Sequence, residues 1–203
     1  MQVLGILGGV ASGKSLAADF LRQLGAAVID GDAAGHEVLR DAEVIHHART
    51  RWGDAILEED GQIRRSALAE RVFAEGASEE LRFLENLTHG RIRAVLQQQI
   101  DALRRDGRTP VAVLDAALLL KSGWDDLCDF LLFIDAPRPL RLQRATARGW
   151  DPAELDRREA AQGSLAAKRA RADLVLQNTG TAEELRAQIV RFWDSHLAAN
   201  MRH

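Results

Sequence analysis

The chain has 203 residues, 46% apolar and 28% charged, which fits an ordinary soluble globular protein with one domain and an insertion or lid. A formal net charge of −3 argues against a dedicated nucleic-acid or membrane binder, and the lone Cys128 excludes an intrachain disulfide. No apolar run reaches the roughly 18 residues of a membrane helix, Met1-Gln2 lacks the positive region of a signal peptide, and the expected setting is the cytoplasm.

In chain order, VLGIL (3–7) is too short for a helix and reads as a buried parallel strand. It runs into GGVASGKS (8–15), where Gly8, four further residues and Gly13-Lys14-Ser15 have the spacing of a phosphate-binding loop. The glycines allow a close backbone approach, the freed N–H groups converge, and the helix N-terminus adds partial positive charge. In this reading Lys14 reaches the β- and γ-phosphates and the Ser15 hydroxyl binds Mg²⁺. Leu16 stands where many such loops carry a second hydroxyl. Ala17, Phe20, Leu21 and Leu24 then share one helix face, closed by Gly25.

AAVID (26–30) is the second strand, and Asp30 and Asp32 fall at the carboxyl edge, where open α/β sheets bind ligands. Asp32 there suits a base that accepts the proton of an attacking hydroxyl; the competing reading is that one or both acids cap a helix starting near Ala33. Residues 35–106 read as a helical insertion of the kind that holds a second substrate. Ser78-Glu79-Glu80 opens its long helix, which ends near Gly107. VAVLD (111–115) is the third strand, and its Asp115 either holds Mg²⁺ or forms a turn. Cys128 reads as a buried thiol, just before the fourth strand FLLFID (130–135).

Residues 138–171 hold eight Arg and one Lys against four acids. Arg141, Arg144 and Arg148 would share a helix face and suit a lid over a triphosphate. A solvated face and a nucleic-acid patch compete, the second weakened because Trp150 is the segment's only aromatic. Asp151-Pro152 starts a helix, DLVLQN (173–178) is the fifth strand, and Thr181-x-x-Glu184 is a capping box ahead of Leu185, Ile189, Phe192 and Leu197. His36, His46, His47, His89, His196 and His203 lack metal-ligand spacing, which argues against zinc, and His46 and His47 read as surface residues. The alternation of strands and helices predicts an α/β fold with helices on both faces of the sheet.

Taken together, this ordered series resembles the dephospho-CoA kinase family from the N-terminus to about residue 180. GGVASGKS matches the family's GGIGSGKS, and Asp30-Gly31-Asp32 its D-x-D. Arg65, Leu68, Val72 and Phe73 match R-x-x-L followed by V-F, and His89-Gly90-Arg91-Ile92 stands for HP-x-I. Arg144 and Arg148 match R-x-x-x-R, Arg158 and Gln162 match R-x-x-x-Q, and Ala172, Asp173, Val175, Asn178 and Gly180 match A-D-x-V-x-x-N-x-G. Three positions depart: Gly90 replaces proline, Leu16 replaces the usual threonine, and Ala117 to Lys121 replaces PLL-F-E, exchanging a carboxylate for a cation.

The resemblance implies a three-layer P-loop NTPase fold with a five-stranded parallel sheet. It divides the chain into a core (1–34, 107–137 and 172–203), a helical substrate-binding insertion (35–106) and an Arg-rich lid (138–171). It implies transfer of the ATP γ-phosphate to the ribose 3′-hydroxyl of dephospho-CoA, with Mg²⁺, and no nucleic-acid or membrane partner. Gly9, Val10, Ala11, Ser12, Gly13, Lys14, Ser15 and Leu16 would hold ATP with Arg148, and Asn178 to Gly180 would lie against the adenine. Asp32 would be the base, Arg144 would stabilise transition-state charge, and Ser15 with Asp115 would hold the metal. Arg65, His89, Arg158 and Gln162 would help bind dephospho-CoA. The remaining readings are a related P-loop small-molecule kinase with a changed acceptor site, or a homologue impaired in transfer. The latter needs lesions in the phosphate machinery, yet Lys14, Ser15, Asp32, Asp115 and Arg144 are all present. No feature of the sequence sets an oligomeric state.

Overall fold

Five apolar runs build one parallel sheet. A computed structural model describes residues 1–197 and orders β1 (Gln2–Gly8), β2 (Ala27–Asp30), β3 (Val111–Asp115), β4 (Phe130–Asp135) and β5 (Leu174–Gln177) as β2-β3-β1-β4-β5. His203 and the last residues of the segment 172–203 lie outside the described residues. The observed strands coincide with the expected runs to within one residue at each end. β1 pairs with β3 on one side and β4 on the other, so VLGIL is buried on both faces and shows no polar alternation. Asp115 is level with Ile6 and with Asp30, which places both acids at the carboxyl edge. The chain leaves β1 for β2 and later crosses to β4, so the loop after β1 lies where the connections diverge, the usual ligand crevice.

The helices are α1 (Lys14–Gln23), α2 (Gly31–Val38), α3 (Ala42–Trp52), α4 (Arg65–Val72), α5 (Ser78–Asp106), α6 (Arg138–Thr146), α7 (Pro152–Gln162), α8 (Leu165–Arg171) and α9 (Ala182–Phe192). A π-helical turn, Trp193–Leu197, follows α9. Among the described residues no helix is long and apolar enough to cross a membrane. Leu4, Ile6, Val111, Val113, Leu132 and Ile134 join Ala17 and Leu21 of α1 and Leu185, Ile189 and Phe192 of α9 in one apolar cluster. Strand alternation sends the other residues to the opposite face. There Gly5 has no room for a side chain: a Cβ would lie 2.7 Å from Leu131 Cδ2 and 2.8 Å from Cys128 Sγ. Burial, with Asp125, Asp129 and Asp126 nearby, pushes the Cys128 thiol up to about 12, as expected of a packing residue rather than a nucleophile.

Two aspartates staple the amino edge in the same way. Asp129 leads into β4 and its Oδ2 accepts the Val3 N–H at 2.7 Å; Asp173 leads into β5 and accepts the Leu131 N–H at 2.7 Å. Helix starts follow local chemistry as well. The Asp151 carboxylate accepts from Glu154 N, and Thr181 with Glu184 completes the capping box. One boundary differs from expectation: α2 begins at Gly31, not near Ala33, so Asp32 sits inside its first turn, where a carboxylate favours the helix dipole.

The chain divides into two compact units, Met1–Asp30 with the chain from Gln99 onward, and Gly31–Gln98. The second unit buries Val38, Val44, Ala48, Ile56, Leu68, Val72 and Ile92. Within it Trp52 meets Phe83 edge to face at 5.3 Å, and Trp52 Nε1 and Arg51 both donate to Glu80. Those two donors, Arg51 first, hold the Glu80 carboxyl below the usual carboxylate range.

Gly90 lies in the interior of α5, and a Cβ there would meet nothing within 4 Å. Gly90→Ala should therefore stabilise the protein by about 0.5–1 kcal/mol through backbone entropy. A urea titration reads this as a higher midpoint with an unchanged slope.

Candidate active site

The loop between β1 and α1 is shaped by its backbone. Ala11 has φ 59° and Gly13 φ 100°, two left-handed residues that turn the chain sharply. Ala11 carries a side-chain strain cost of about 1–2 kcal/mol there, while at Gly13 a Cβ would run into Asn178 Nδ2. Ser12 N closes a turn on Gly9 O at 3.2 Å, and the first helical bond runs from Ala17 N to Gly13 O at 3.0 Å. The N–H groups of Lys14, Ser15 and Leu16 precede that bond, and no side chain caps the helix, so they are placed for an anion. Lys14 Nζ rests on Gly9 O at 3.3 Å. Leu16 packs against the apolar cluster between sheet and helices, so it offers the site a backbone amide and no side chain.

Three elements grip this loop from the segment after β4. Asn178, 3% exposed, donates Nδ2–H to Ser12 O at 2.7 Å, and its own N–H bonds Asp135 O at 2.7 Å. Arg144 donates to Ser12 O at 3.3 Å and to both oxygens of Asn178 at 3.2 Å. Burial first, and Arg148 second, push its guanidinium below its ordinary value. Val10 and Ala11 form a small apolar nucleus with Ala145 and Leu155, flanked by Leu142 and Trp150.

Arg141 and Arg144 lie three apart within α6 and both reach the loop, but Arg148 does not continue their face as the spacing predicts. α6 stops at Thr146, and Gly149 at φ 81° reverses the chain so that Trp150 N returns to Ala145 O. Arg148 thus leaves the helix and lies 5.9 Å from the Trp150 ring centre, with Arg158 at 4.1 Å over the same ring. Arg141 turns inward instead, 4% exposed, packed under Gly9 and ion-paired with Glu159. Gln162 ends α7 in a cavity of about 110 Å³ bordered by Gly9 and Val10, and it accepts a hydrogen bond from Lys168. Gly180 precedes the Thr181 capping box, and the Glu184 carboxylate fills the space a side chain would need.

Ser15 is exposed on the first turn of α1, and Asp115 ends β3 half-buried. Hydroxyl and carboxylate oxygens are hard donors that suit Mg²⁺. Among the described residues no group of three or more His, Cys, Asp or Glu forms a metal cage. That donor set fits a cation shared with phosphate oxygens and water, the usual manner of Mg²⁺.

In the second unit Asp32 is exposed, and His89 is half-buried in α5. Arg65 donates to His36 Nε2 at 2.6 Å, and the two border a cavity of about 620 Å³ with Leu39, Arg40, Asp60 and Gln62. Sequence reasoning did not single out His36 and Arg40, which line that cavity, or Lys168, which lines the one beside Gly9. The visible signal for Lys168 was its being the only lysine in an arginine-rich segment. Arg40 and His36 carry no local signal, because they meet Arg65 only after the chain folds back.

Compared with known proteins, the profile of the dephospho-CoA kinase family matches residues 2–184. The dephospho-CoA kinase of Symbiobacterium thermophilum is 38% identical over 195 residues, covering 95% of this chain and 80% of that one. That of Moorella thermoacetica is 36% identical over 203 residues, covering 98% and 95%. Among solved structures, TT1252 from Thermus thermophilus aligns with a TM-score of 0.79 and 33% identity over 96% of this chain and 97% of that one.

Removing the Asn178 amide leaves Ser12 O and Arg144 short of partners in a buried place. Asn178→Ala should cost about 1–3 kcal/mol of stability, read from chemical unfolding, with a matching loss from Asn178→Asp, which has no N–H to give. Unchanged midpoints in both variants would show that this contact carries no energy.

Proposed function

This chain belongs to the dephospho-CoA kinase family, and from that premise we propose that it phosphorylates the ribose 3′-hydroxyl of dephospho-CoA with ATP, giving CoA and ADP in the cytoplasm. The observation that carries this reading is the left-handed glycine loop gripped by Arg144 and Asn178, in a chain matched over nearly its whole length by that family.

The loop amides and Lys14 hold the β- and γ-phosphates, and Arg144 offsets charge on the phosphoryl group in flight. Asp32 takes the proton of the 3′-hydroxyl as its oxygen attacks γ-phosphorus; the bond to the β–γ bridging oxygen breaks and ADP leaves. Ser15 and Asp115 would hold Mg²⁺, which supplies charge neutralisation on the phosphate oxygens. Residues 35–106 would receive the acceptor, and residues 138–171 would close over the triphosphate. The cavity at Arg65, His36 and Arg40 supports an anion of the acceptor being bound in the second unit.

An assay coupled to ADP release, run across dephospho-CoA, adenosine and common nucleosides, tests the reading. Dephospho-CoA should be strongly preferred, and equal turnover of other acceptors would overturn the assignment. Asp32→Asn should lose about 10²- to 10⁴-fold in turnover while still binding ATP, whereas Lys14→Ala should lose ATP use itself. Full turnover by Asp32→Asn would remove Asp32 as base.

A further inference from the structure

Lys168 is a buried cation with a second cation, Lys14, acting on it. It projects from α8, is 5% exposed, and its ammonium donates to Gln162 Oε1 at 3.2 Å. The one acid that borders its cavity, Glu159 of α7, is ion-paired with Arg141. Facing it from the loop is Lys14, close enough to act on it electrostatically. Lys14 Nζ bonds Gly9 O, and Gly9 also borders the cavity of about 110 Å³ lined by Lys168, Val10, Glu159 and Gln162. A lysine held this way is costly unless an anion shares the space.

We propose that Lys168 is a second phosphate-binding lysine, delivered by α8 to the Gly9 end of the loop, where it binds the β–γ end of the nucleotide triphosphate alongside Lys14. The proposal rests on the ATP-kinase reading above and extends it to a residue outside the glycine loop. A compact ammonium suits an oxygen shared between two cations better than a planar guanidinium does. Lys168 makes and breaks no bond; its charge offsets the negative charge that builds on the bridging oxygen as ADP departs.

Protonation supports the assignment. Burial, then Lys14, lowers the Lys168 ammonium from 10.5 to about 8. Below about pH 8 the charged lysine therefore costs the free protein stability, and that cost fades as pH rises toward 10.5. Binding of the triphosphate has the opposite requirement, since it needs the charged form and weakens above about pH 8.

The test is equilibrium binding of the non-hydrolysable β,γ-imido analogue of ATP and of AMP, with thermal unfolding, on wild type, Lys168→Met and Lys168→Arg. The Met variant should melt at or above the wild-type temperature yet bind the imido analogue about 10- to 100-fold more weakly, with AMP binding unchanged. The Arg variant should retain most of the affinity. Wild type should lose affinity between about pH 7 and about pH 9, and the Arg variant, which stays charged, should not. Wild-type affinity in Lys168→Met, or an equal loss for AMP, would overturn the proposal while leaving the kinase reading intact. A wild-type protein that binds no ATP analogue at all would bring down both.

Discussion

The carbonyl of Ser12 takes hydrogen bonds from two side chains far away in sequence, Asn178 Nδ2 and Arg144 Nη1. The loop holds its left-handed shape because of that double grip. Asn178 is in turn fixed by its own N–H on Asp135 O, so the end of β4 and the residue after β5 set the position of the loop. The arrangement is buried, and in a low-dielectric setting each bond polarises the next. One carboxamide thereby links the sheet edge, the loop and the arginine that α6 supplies. A side chain without both donor and acceptor could not do this.

Around that node the protein accumulates positive charge. Lys14, Arg141, Arg144 and Lys168 all lie at or beneath the loop, and burial lowers the proton affinity of Arg141, Arg144 and Lys168. Arg141 differs in purpose: paired with Glu159 and bonded to Ala136 O, it supports the backbone of Gly9 from below. Holding such cations out of water is costly, and an anion bound beside them would offset that cost. Preorganised charge of this kind needs little rearrangement when phosphate arrives.

What could be read from the sequence was what is local. The five strands, the glycine loop and the caps at Asp151 and Thr181 depend on runs of a few residues, and they stand where the pattern placed them. Arg148 did not, because a spacing of four from Arg144 assumes a helix that ends at Thr146, ahead of the turn at Gly149. The burial of Lys168 was not legible, because it depends on what α7 and the loop bring to it. Asp173 was legible as part of a family pattern, but its physical task emerged only from the ladder: it accepts the Leu131 N–H of the neighbouring strand. Leu16 was legible as a missing hydroxyl, and the structure adds that its side chain belongs to the core.

The staples at Asp129 and Asp173 act at the edge of the sheet away from the loop, yet they govern alignment at the loop. Each incoming strand is keyed to the strand already beside it, β4 to β1 and then β5 to β4, by the carboxylate that leads it in. A slip of one residue would displace the strand by about 3.3 Å and turn every side chain to the wrong face. Asn178 would then miss Ser12 altogether. The accuracy of the phosphate loop is therefore inherited from two hydrogen bonds at the far end of the same strands, as a ruler's last division depends on where its zero is laid.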